Sequence, residues 1–159
     1  VVSIAKYNCQ GQLVIGGEAE AVTKASELAL EKGARRAIPL NTSGPFHTEL
    51  LAPASNELKE KFVSVNFNEM QVPVIFNSSA KELESGVSIA QMLEKQVMSS
   101  VYFEDSIRYM LENGVDTIIE IGPGKVLSGF IRKIDKTIKT YQVEDQASLE
   151  KTLAGLKGE

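Results

Sequence analysis

Helical and strand-like patterns alternate along the second half of the chain. The segment Val115–Ile121 is β-branched and apolar, and the turn Gly122-Pro123-Gly124 separates it from a helical apolar pattern at Lys125–Ile134. A second strand-like segment, Thr137–Val143, follows that helix. Two strands joined through a helix form a parallel pair, because a tight turn can join only antiparallel strands. The alternation therefore predicts an α/β fold with a parallel sheet.

The same reasoning assigns the rest of the chain. Periodicity of two or of 3.6 residues, with glycine, proline or polar residues at the ends, separates strands from helices. The predicted strands are Val1–Asn8, Leu13–Ile15, Ala34–Leu40 and Val72–Phe76, and the predicted helices are Glu18–Lys32, Leu50–Phe62, Ser88–Val97, Glu104–Asn113 and Ala147–Leu156. The Val72–Phe76 strand is almost wholly apolar, which is typical of burial on both faces.

Composition excludes several classes of function. The chain has 159 residues and a net charge of −4, which disfavours nucleic acid or an anionic membrane as its main partner. No apolar run approaches the ~18 residues of a transmembrane helix. A single cysteine, Cys9, and a single histidine can form neither an internal disulfide nor a metal site, so we expect a reducing, cytoplasmic setting. Because the chain opens at Val1 inside a strand-like segment, we expect a piece of a longer protein.

The only histidine, His47, is the first candidate catalytic residue. It follows the turn Gly44-Pro45 and precedes an amphipathic helix, and catalytic side chains collect on such loops. Imidazole exchanges a proton near neutral pH, which suits a general base. A hydrogen-bonded loop histidine without a catalytic role is an equally open interpretation.

Two further segments carry polar groups at unexpected places. Gln96 lies on the apolar stripe of the Ser88–Val97 helix, so its amide either reaches solvent at the edge of the stripe or faces a partner in a cleft. The segment Glu120–Leu127 places glycines and Lys125 before a helix N-terminus, where anions bind. It lacks the spacing of a phosphate-binding or dinucleotide-binding loop, and a purely structural turn is the favoured interpretation.

Basic residues are concentrated in two groups. Arg35 and Arg36 form one pair, and Lys125 belongs to a second group with Arg132, Lys133 and Lys136. These charges either form a solvated face or receive an acidic partner or a phosphate. Cys9 has no neighbouring signal for activation and is interpreted as an ordinary thiol.

Taken together, these motifs resemble a known family. The residues that carry the likeness are Asn8–Gln12, Gly44-Pro-Phe-His47, the strand at Val72, Gln96 and Ile121–Leu127. In this order and spacing they are similar to the malonyl-CoA:acyl carrier protein transacylases of bacterial fatty acid synthesis and, more broadly, to the acyltransferase domains of fatty acid and polyketide synthases. The resemblance implies an α/β-hydrolase-like large subdomain with an inserted ferredoxin-like small subdomain. Residues 1–41 would be the later part of the insert, and residues 42–159 the C-terminal part of the large subdomain.

The resemblance also implies a reaction. A serine takes malonyl from malonyl-CoA, and the phosphopantetheine thiol of acyl carrier protein collects it, with no metal and no further cofactor. His47 would activate the serine and then the thiol, and the backbone carbonyl of Gln96 would orient it. Phe46 matches the residue found in malonyl-selective members. We expect substrate contacts from Asn8 and Gln12, and carrier-protein docking through the basic residues Arg35, Arg36 and Lys125.

The chain departs from the family pattern in what it lacks. No serine has the Gly-x-Ser-x-Gly surroundings of the family nucleophile, and no residue matches the family arginine that pairs with the malonyl carboxylate. The usual Ser-Pro-Gly-Gln is here Cys9-Gln-Gly-Gln12. We therefore expect the isolated chain to be inactive and a missing N-terminal half to supply the serine. The alternatives are a segment of a synthase acyltransferase domain and a non-catalytic module that binds carrier protein.

Overall fold

A computed structural model describes residues 1–158. Within these residues the chain forms five β-strands, six α-helices and one 3-10 turn in mixed α/β order. In chain order they are β1 (Val2–Cys9), β2 (Gln12–Gly17), α1 (Ala19–Glu31), the 3-10 turn Glu49–Leu51, α2 (Ala52–Phe62), α3 (Ile89–Val97), β3 (Val101–Tyr102), α4 (Phe103–Glu112), β4 (Thr117–Ile121), α5 (Val126–Ile134), β5 (Lys139–Val143) and α6 (Gln146–Lys157). All six helices and four of the strands coincide with predicted elements to within a few residues.

The first sheet contains strands from both predicted domains, residues 1–41 and residues 42–159. Strands β1 and β2 form an antiparallel hairpin whose turn contains Gly11 at φ 74°, a conformation that glycine adopts without steric cost. The short strand β3 pairs in parallel with β1, and the rings of Tyr7 and Tyr102 stack with their centroids 5.1 Å apart. The division at residues 41 and 42 stays a prediction, but one sheet crosses it.

The second sheet is the predicted parallel pair. Strands β4 and β5 pair in parallel from Thr117↔Lys139 to Ile121↔Val143, and helix α5 connects them. Helix α5 also packs on α4, and the core between them is built from Ile107, Ile131 and Ile138. The alternation of strand and helix predicted this unit correctly, because each of its elements buries one apolar stripe against the next.

Two predicted strands are wrong. Residues 34–40 belong to no β-ladder, and Ile38 and Leu40 are exposed. Within Val72–Phe76 only Phe76 pairs, through a hydrogen bond from its N–H to the carbonyl of Lys81, and Val72 is 67% exposed rather than buried. A strand requires a neighbouring strand for its backbone groups, and none among residues 1–158 pairs with either segment.

Two features are absent from the described residues. No helix within residues 1–158 is long and apolar enough to cross a membrane. The same residues contain no group of three or more histidine, cysteine, aspartate or glutamate side chains that could hold a metal ion.

Candidate functional site

His47 lies on a constrained loop between the β1–β2 hairpin and helix α3. Its backbone has φ 63°, in the left-handed region that non-glycine residues rarely adopt and that costs on the order of 1 kcal/mol. The N–H of His47 donates to the carbonyl of Val97 at 3.2 Å. The Thr48 hydroxyl donates to the carbonyl of Pro45 at 2.6 Å. These hydrogen bonds hold the chain in the strained conformation and fix where the imidazole lies.

The loop rests on the hairpin through a close contact at Gly16. A Cβ atom at Gly16 would lie 3.0 Å from Cγ2 of Thr48 and 3.6 Å from Cβ of Ala5. Thr48 is only 1% exposed, so its methyl group has little room to move. Strand β2 therefore needs glycine at this position for the residue after His47 to pack against it.

The imidazole is oriented by a backbone carbonyl. Nδ1 of His47 lies 3.0 Å from the carbonyl oxygen of Gln96. A carbonyl can only accept a hydrogen bond, so Nδ1 carries the proton and the neutral ring keeps its lone pair on Nε2. An imidazole held in this tautomer can take a proton at Nε2. The contact uses only the backbone of Gln96, whose side chain is partly exposed.

The carbonyls at the end of α3 all find donors. The last four carbonyls of an α-helix have no partner within the helix. In α3, the carbonyl of Lys95 accepts from the N–H of Met98 at 3.3 Å, while those of Gln96 and Val97 accept from His47. The fourth, on Glu94, accepts from the Ser55 hydroxyl at 2.9 Å. The candidate base is thus one part of a complete C-terminal cap.

Ser55 is not among the predicted site residues, although its position in the sequence indicates a buried polar group. It lies on helix α2 one turn after Leu51 and one turn before Leu58, on the predicted apolar stripe. Its side chain is 9% exposed. A buried serine on an apolar stripe requires a hydrogen-bond partner, and here that partner lies 39 residues away on α3.

The predicted site residues Asn8, Gln12 and Phe46 take no part in the hydrogen bonds between His47 and α3. Asn8 is buried at an irregularity in the β1–β2 register. The side-chain oxygen of Gln12 accepts from Nζ of Lys133 on α5 at 3.1 Å. Among the described residues, no hydrogen bond links either side chain to His47. Phe46 directly precedes His47 and is half exposed, so its ring is free to contact a ligand.

The predicted basic residues lie on two different segments. Arg35 and Arg36 are exposed in the stretch that follows α1, and Lys125 is exposed at the start of α5. None of the three forms an ion pair within the part of the chain that the structure covers. They are therefore free to meet an acidic partner, and docking through them stays a prediction.

The helix N-terminus after β4 is occupied by carboxylates of the chain itself. Glu120 accepts hydrogen bonds from the N–H of Leu127 at 3.1 Å and from both the N–H and the hydroxyl of Ser128, at 2.8 and 2.6 Å. Glu144 accepts from the N–H of Gly124 at 2.9 Å. Burial raises the pKa of Glu120, but the hydrogen bonds from Ser128 and Leu127 outweigh it and hold that pKa below its usual value. The segment is therefore the structural turn that the sequence favoured.

Two observations limit the chemistry of the chain by itself. Burial raises the pKa of the Cys9 thiol, with Lys133 opposing the shift, so this group stays a protonated thiol near neutral pH. A surface cleft of about 430 Å³ lies between Ala80 and Tyr109, and His47 does not line it. His47 itself is partly exposed.

Comparisons with known proteins point to one group of relatives. No protein-family model matches the chain. The malonyl CoA-acyl carrier protein transacylase of Bacillus subtilis is 47% identical over 159 residues, which is all of this chain and 50% of that protein. The enzyme of the same name from Escherichia coli is 35% identical over 153 residues, again about half of its length. The chain thus spans about half the length of the curated relatives it matches.

Solved structures give the same result. The crystal structure of a malonyl CoA-acyl carrier protein transacylase from Clostridium perfringens superposes with a TM-score of 0.95 at 43% identity, covering 99% of this chain and 50% of that one. A second similar structure holds a type II PKS acyl-carrier protein in complex with its malonyl-transacylase, with a TM-score of 0.92 and 35% identity over 100% of this chain and 50% of that one. The resemblance inferred from the motifs is therefore confirmed.

Proposed function

We propose that this chain, a homologue over its whole length of about half of a malonyl CoA-acyl carrier protein transacylase, supplies the general base of a malonyl transferase. The observation that carries the proposal is the hydrogen bond from Nδ1 of His47 to the carbonyl of Gln96, which leaves Nε2 as the proton acceptor. The nucleophile is a serine in further polypeptide, since no serine of this sequence has Gly-x-Ser-x-Gly surroundings.

In the first half-reaction, Nε2 of His47 takes the proton of the serine hydroxyl as its oxygen attacks the thioester carbonyl of malonyl-CoA. The C–S bond breaks, and the departing CoA sulfur receives that proton from the imidazolium. The products are free CoA and a malonyl-serine ester. The carbonyl-rich end of α3 carries a partial negative charge, which complements the positive charge that the ring acquires in this step.

In the second half-reaction, Nε2 takes the proton of the phosphopantetheine thiol of acyl carrier protein. The sulfur attacks the ester carbonyl, the C–O bond breaks, and the serine oxygen recovers the proton. The chain needs no metal and no cofactor for these steps. Phe46, half exposed beside His47, contacts the malonyl group. Substrate contacts from Asn8 and Gln12 stay a prediction, because Asn8 is buried and the Gln12 side chain is bonded to Lys133. The reaction belongs to fatty acid synthesis in the cytoplasm.

Exposed apolar residues support completion of the fold by further polypeptide. On β4, Ile119 and Ile121 face outward, and Ile121 is 81% exposed. Ile38 and Val72 are exposed in the two segments that the sequence predicts to be strands. Four large apolar side chains are thus left exposed, and the relatives are twice as long as the stretch that matches. We infer that an N-terminal half pairs with these segments and brings the serine to His47, within an α/β-hydrolase-like subdomain.

A second candidate function is a module that only binds carrier protein. Arg35, Arg36 and Lys125 are exposed and lack ion pairs within residues 1–158, and one similar structure contains a carrier protein. An acidic carrier protein would bind such residues in a salt-dependent manner. If the chain is instead a segment of a synthase acyltransferase domain, the same residues would serve as the general base and as the carrier-protein binding site.

A reconstitution assay separates these candidates. The 159-residue chain is combined with a polypeptide equivalent to the half of the Bacillus subtilis relative that it leaves uncovered, and transfer from labelled malonyl-CoA to holo acyl carrier protein is measured. We expect transfer only from the combination, and loss of transfer with His47→Asn, which tolerates the left-handed backbone but cannot act as a base at Nε2. Salt-sensitive carrier binding without transfer would instead support the binding module.

A further inference from the structure

Three hydrogen bonds fasten α3 to the segment that begins with His47. Two of them involve His47 itself, to the carbonyls of Gln96 and Val97. The third runs from the Ser55 hydroxyl to the carbonyl of Glu94, two residues before Gln96. Ser55 thus forms a hydrogen bond to the same end of α3 as the candidate base, but its hydroxyl donates to Glu94 and not to the imidazole.

Ser55 and His47 lie close together along the chain. Thr48 and the 3-10 turn Glu49–Leu51 separate His47 from helix α2, in which Ser55 is the fourth residue. The N–H of Leu51 donates to the carbonyl of Thr48, which ties the turn to the loop. A serine inside a helix ordinarily bonds to the carbonyl four residues before it, whereas Ser55 reaches across to α3. This bond therefore fixes the position of α3 along α2, and with it the position of α3 relative to the His47 loop.

From this arrangement we propose that Ser55 is a positioning residue, whose hydroxyl holds the carbonyl of Gln96 in register with Nδ1 of His47. The proposal rests on the proposed function only in treating His47 as the base. If α3 slides along α2, the distance between Nδ1 and the Gln96 carbonyl grows, and the imidazole is released to its other tautomer, with the proton on Nε2. A ring in that tautomer has no lone pair at Nε2 and cannot accept a proton there.

The single histidine makes the tautomer directly measurable. In the full chain, labelled with ¹⁵N in the histidine ring, two-bond nitrogen–proton spectra at a pH where the ring is neutral report which nitrogen carries the proton. We expect the Nδ1–H tautomer in the unsubstituted chain. Ser55→Ala should raise the Nε2–H population roughly two- to ten-fold, the change that losing one hydrogen bond of ordinary net strength produces.

Matched variants isolate the hydroxyl group. Thr and Val have the same shape, so Ser55→Thr should keep the tautomer of the unsubstituted chain and Ser55→Val should shift it. Ser106→Ala is the control, because Ser106 is buried to a similar degree, 8% against 9% exposed, and its hydroxyl donates to the carbonyl of Tyr102, the residue directly before its own helix α4. It should leave the tautomer unchanged.

Several results would overturn the role of Ser55. They are an unchanged tautomer in Ser55→Val, an equal shift in Ser106→Ala, or an Nε2–H tautomer in the unsubstituted chain. If the variants without the hydroxyl fail to fold while Ser55→Thr folds, the hydroxyl is a requirement of the fold and not a positioning device. None of these measurements requires malonyl transfer. A tautomer shift in a chain that never supports transfer would reject the proposed function and leave the role of Ser55 intact.

Discussion

Replacing Gly16 by alanine tests how the hairpin supports the His47 loop. The added Cβ would lie 3.0 Å from Cγ2 of Thr48, a residue that is 1% exposed and whose hydroxyl is bonded to the carbonyl of Pro45. Gly16 has no positive φ, so the cost is steric rather than conformational. Overpacking of this kind costs about 1–3 kcal/mol. The lower entropy of the unfolded chain returns roughly 0.4–1 kcal/mol. We expect a net loss of about 0.5–2 kcal/mol.

The assay is urea unfolding followed by circular dichroism, with two matched variants. Gly129→Ala adds a methyl group on helix α5, where nothing lies within 4 Å, and should stabilise the chain by roughly 0.5–1 kcal/mol. Thr48→Ser removes Cγ2 and keeps the hydroxyl, so it should restore most of the stability lost in Gly16→Ala. If Gly16→Ala is as stable as the unsubstituted chain, or if its effect simply adds to that of Thr48→Ser, the close contact does not constrain the loop.

Three further predictions concern the site and the β4–α5 turn. In the reconstituted transferase, His47→Ala should lower kcat/KM for malonyl transfer by about 10²–10⁴, the usual contribution of a general base, and near-normal turnover would rule out that role. Phe46→Ser should reduce the preference for malonyl-CoA over methylmalonyl-CoA in a competition assay, whereas an unchanged ratio would exclude Phe46 as a selectivity element. Glu120→Gln should reduce the loss of stability on acidification. Because hydrogen bonds from Ser128 and Leu127 make the pKa of Glu120 lower in the folded chain than in the unfolded one, its contribution to stability is present above the unfolded pKa and is lost as the pH falls through the folded pKa. Urea unfolding between pH 3 and 7 should therefore show a shallower dependence for the variant, and parallel curves would contradict the role of Glu120.

The sequence predicts correctly those elements whose pairing and packing partners lie within the chain itself. The β4–α5–β5 unit was recognised because its strands pair with each other and its helix buries one stripe on α4. The segments 34–40 and 72–76 are also predicted to be strands, yet they find no pairing strand within residues 1–158. Strand propensity expresses a fit to a neighbouring strand, so it cannot show whether that neighbour is present.

The candidate site was predictable only where a motif or a broken pattern pointed to it. His47 stood out by its type and its turn, and the backbone contact of Gln96 followed from the family resemblance, not from the glutamine itself. The contacts of Ser55 and Gly16 depend on which carbonyl or methyl group lies opposite, across 39 and 32 residues of chain. Periodicity does not encode such distant partners. A buried polar residue on an apolar stripe was the one sign that a partner existed.

The central claim is that this chain carries the base of a malonyl transferase while further polypeptide carries the nucleophile. Intact-mass analysis of both chains in the reconstituted complex, after brief exposure to malonyl-CoA without carrier protein, tests it most directly. The account predicts one malonyl adduct on the complementary polypeptide, none on the 159-residue chain, and slow formation with His47→Asn. An adduct on the 159-residue chain, or formation at the same rate without the imidazole, would contradict it.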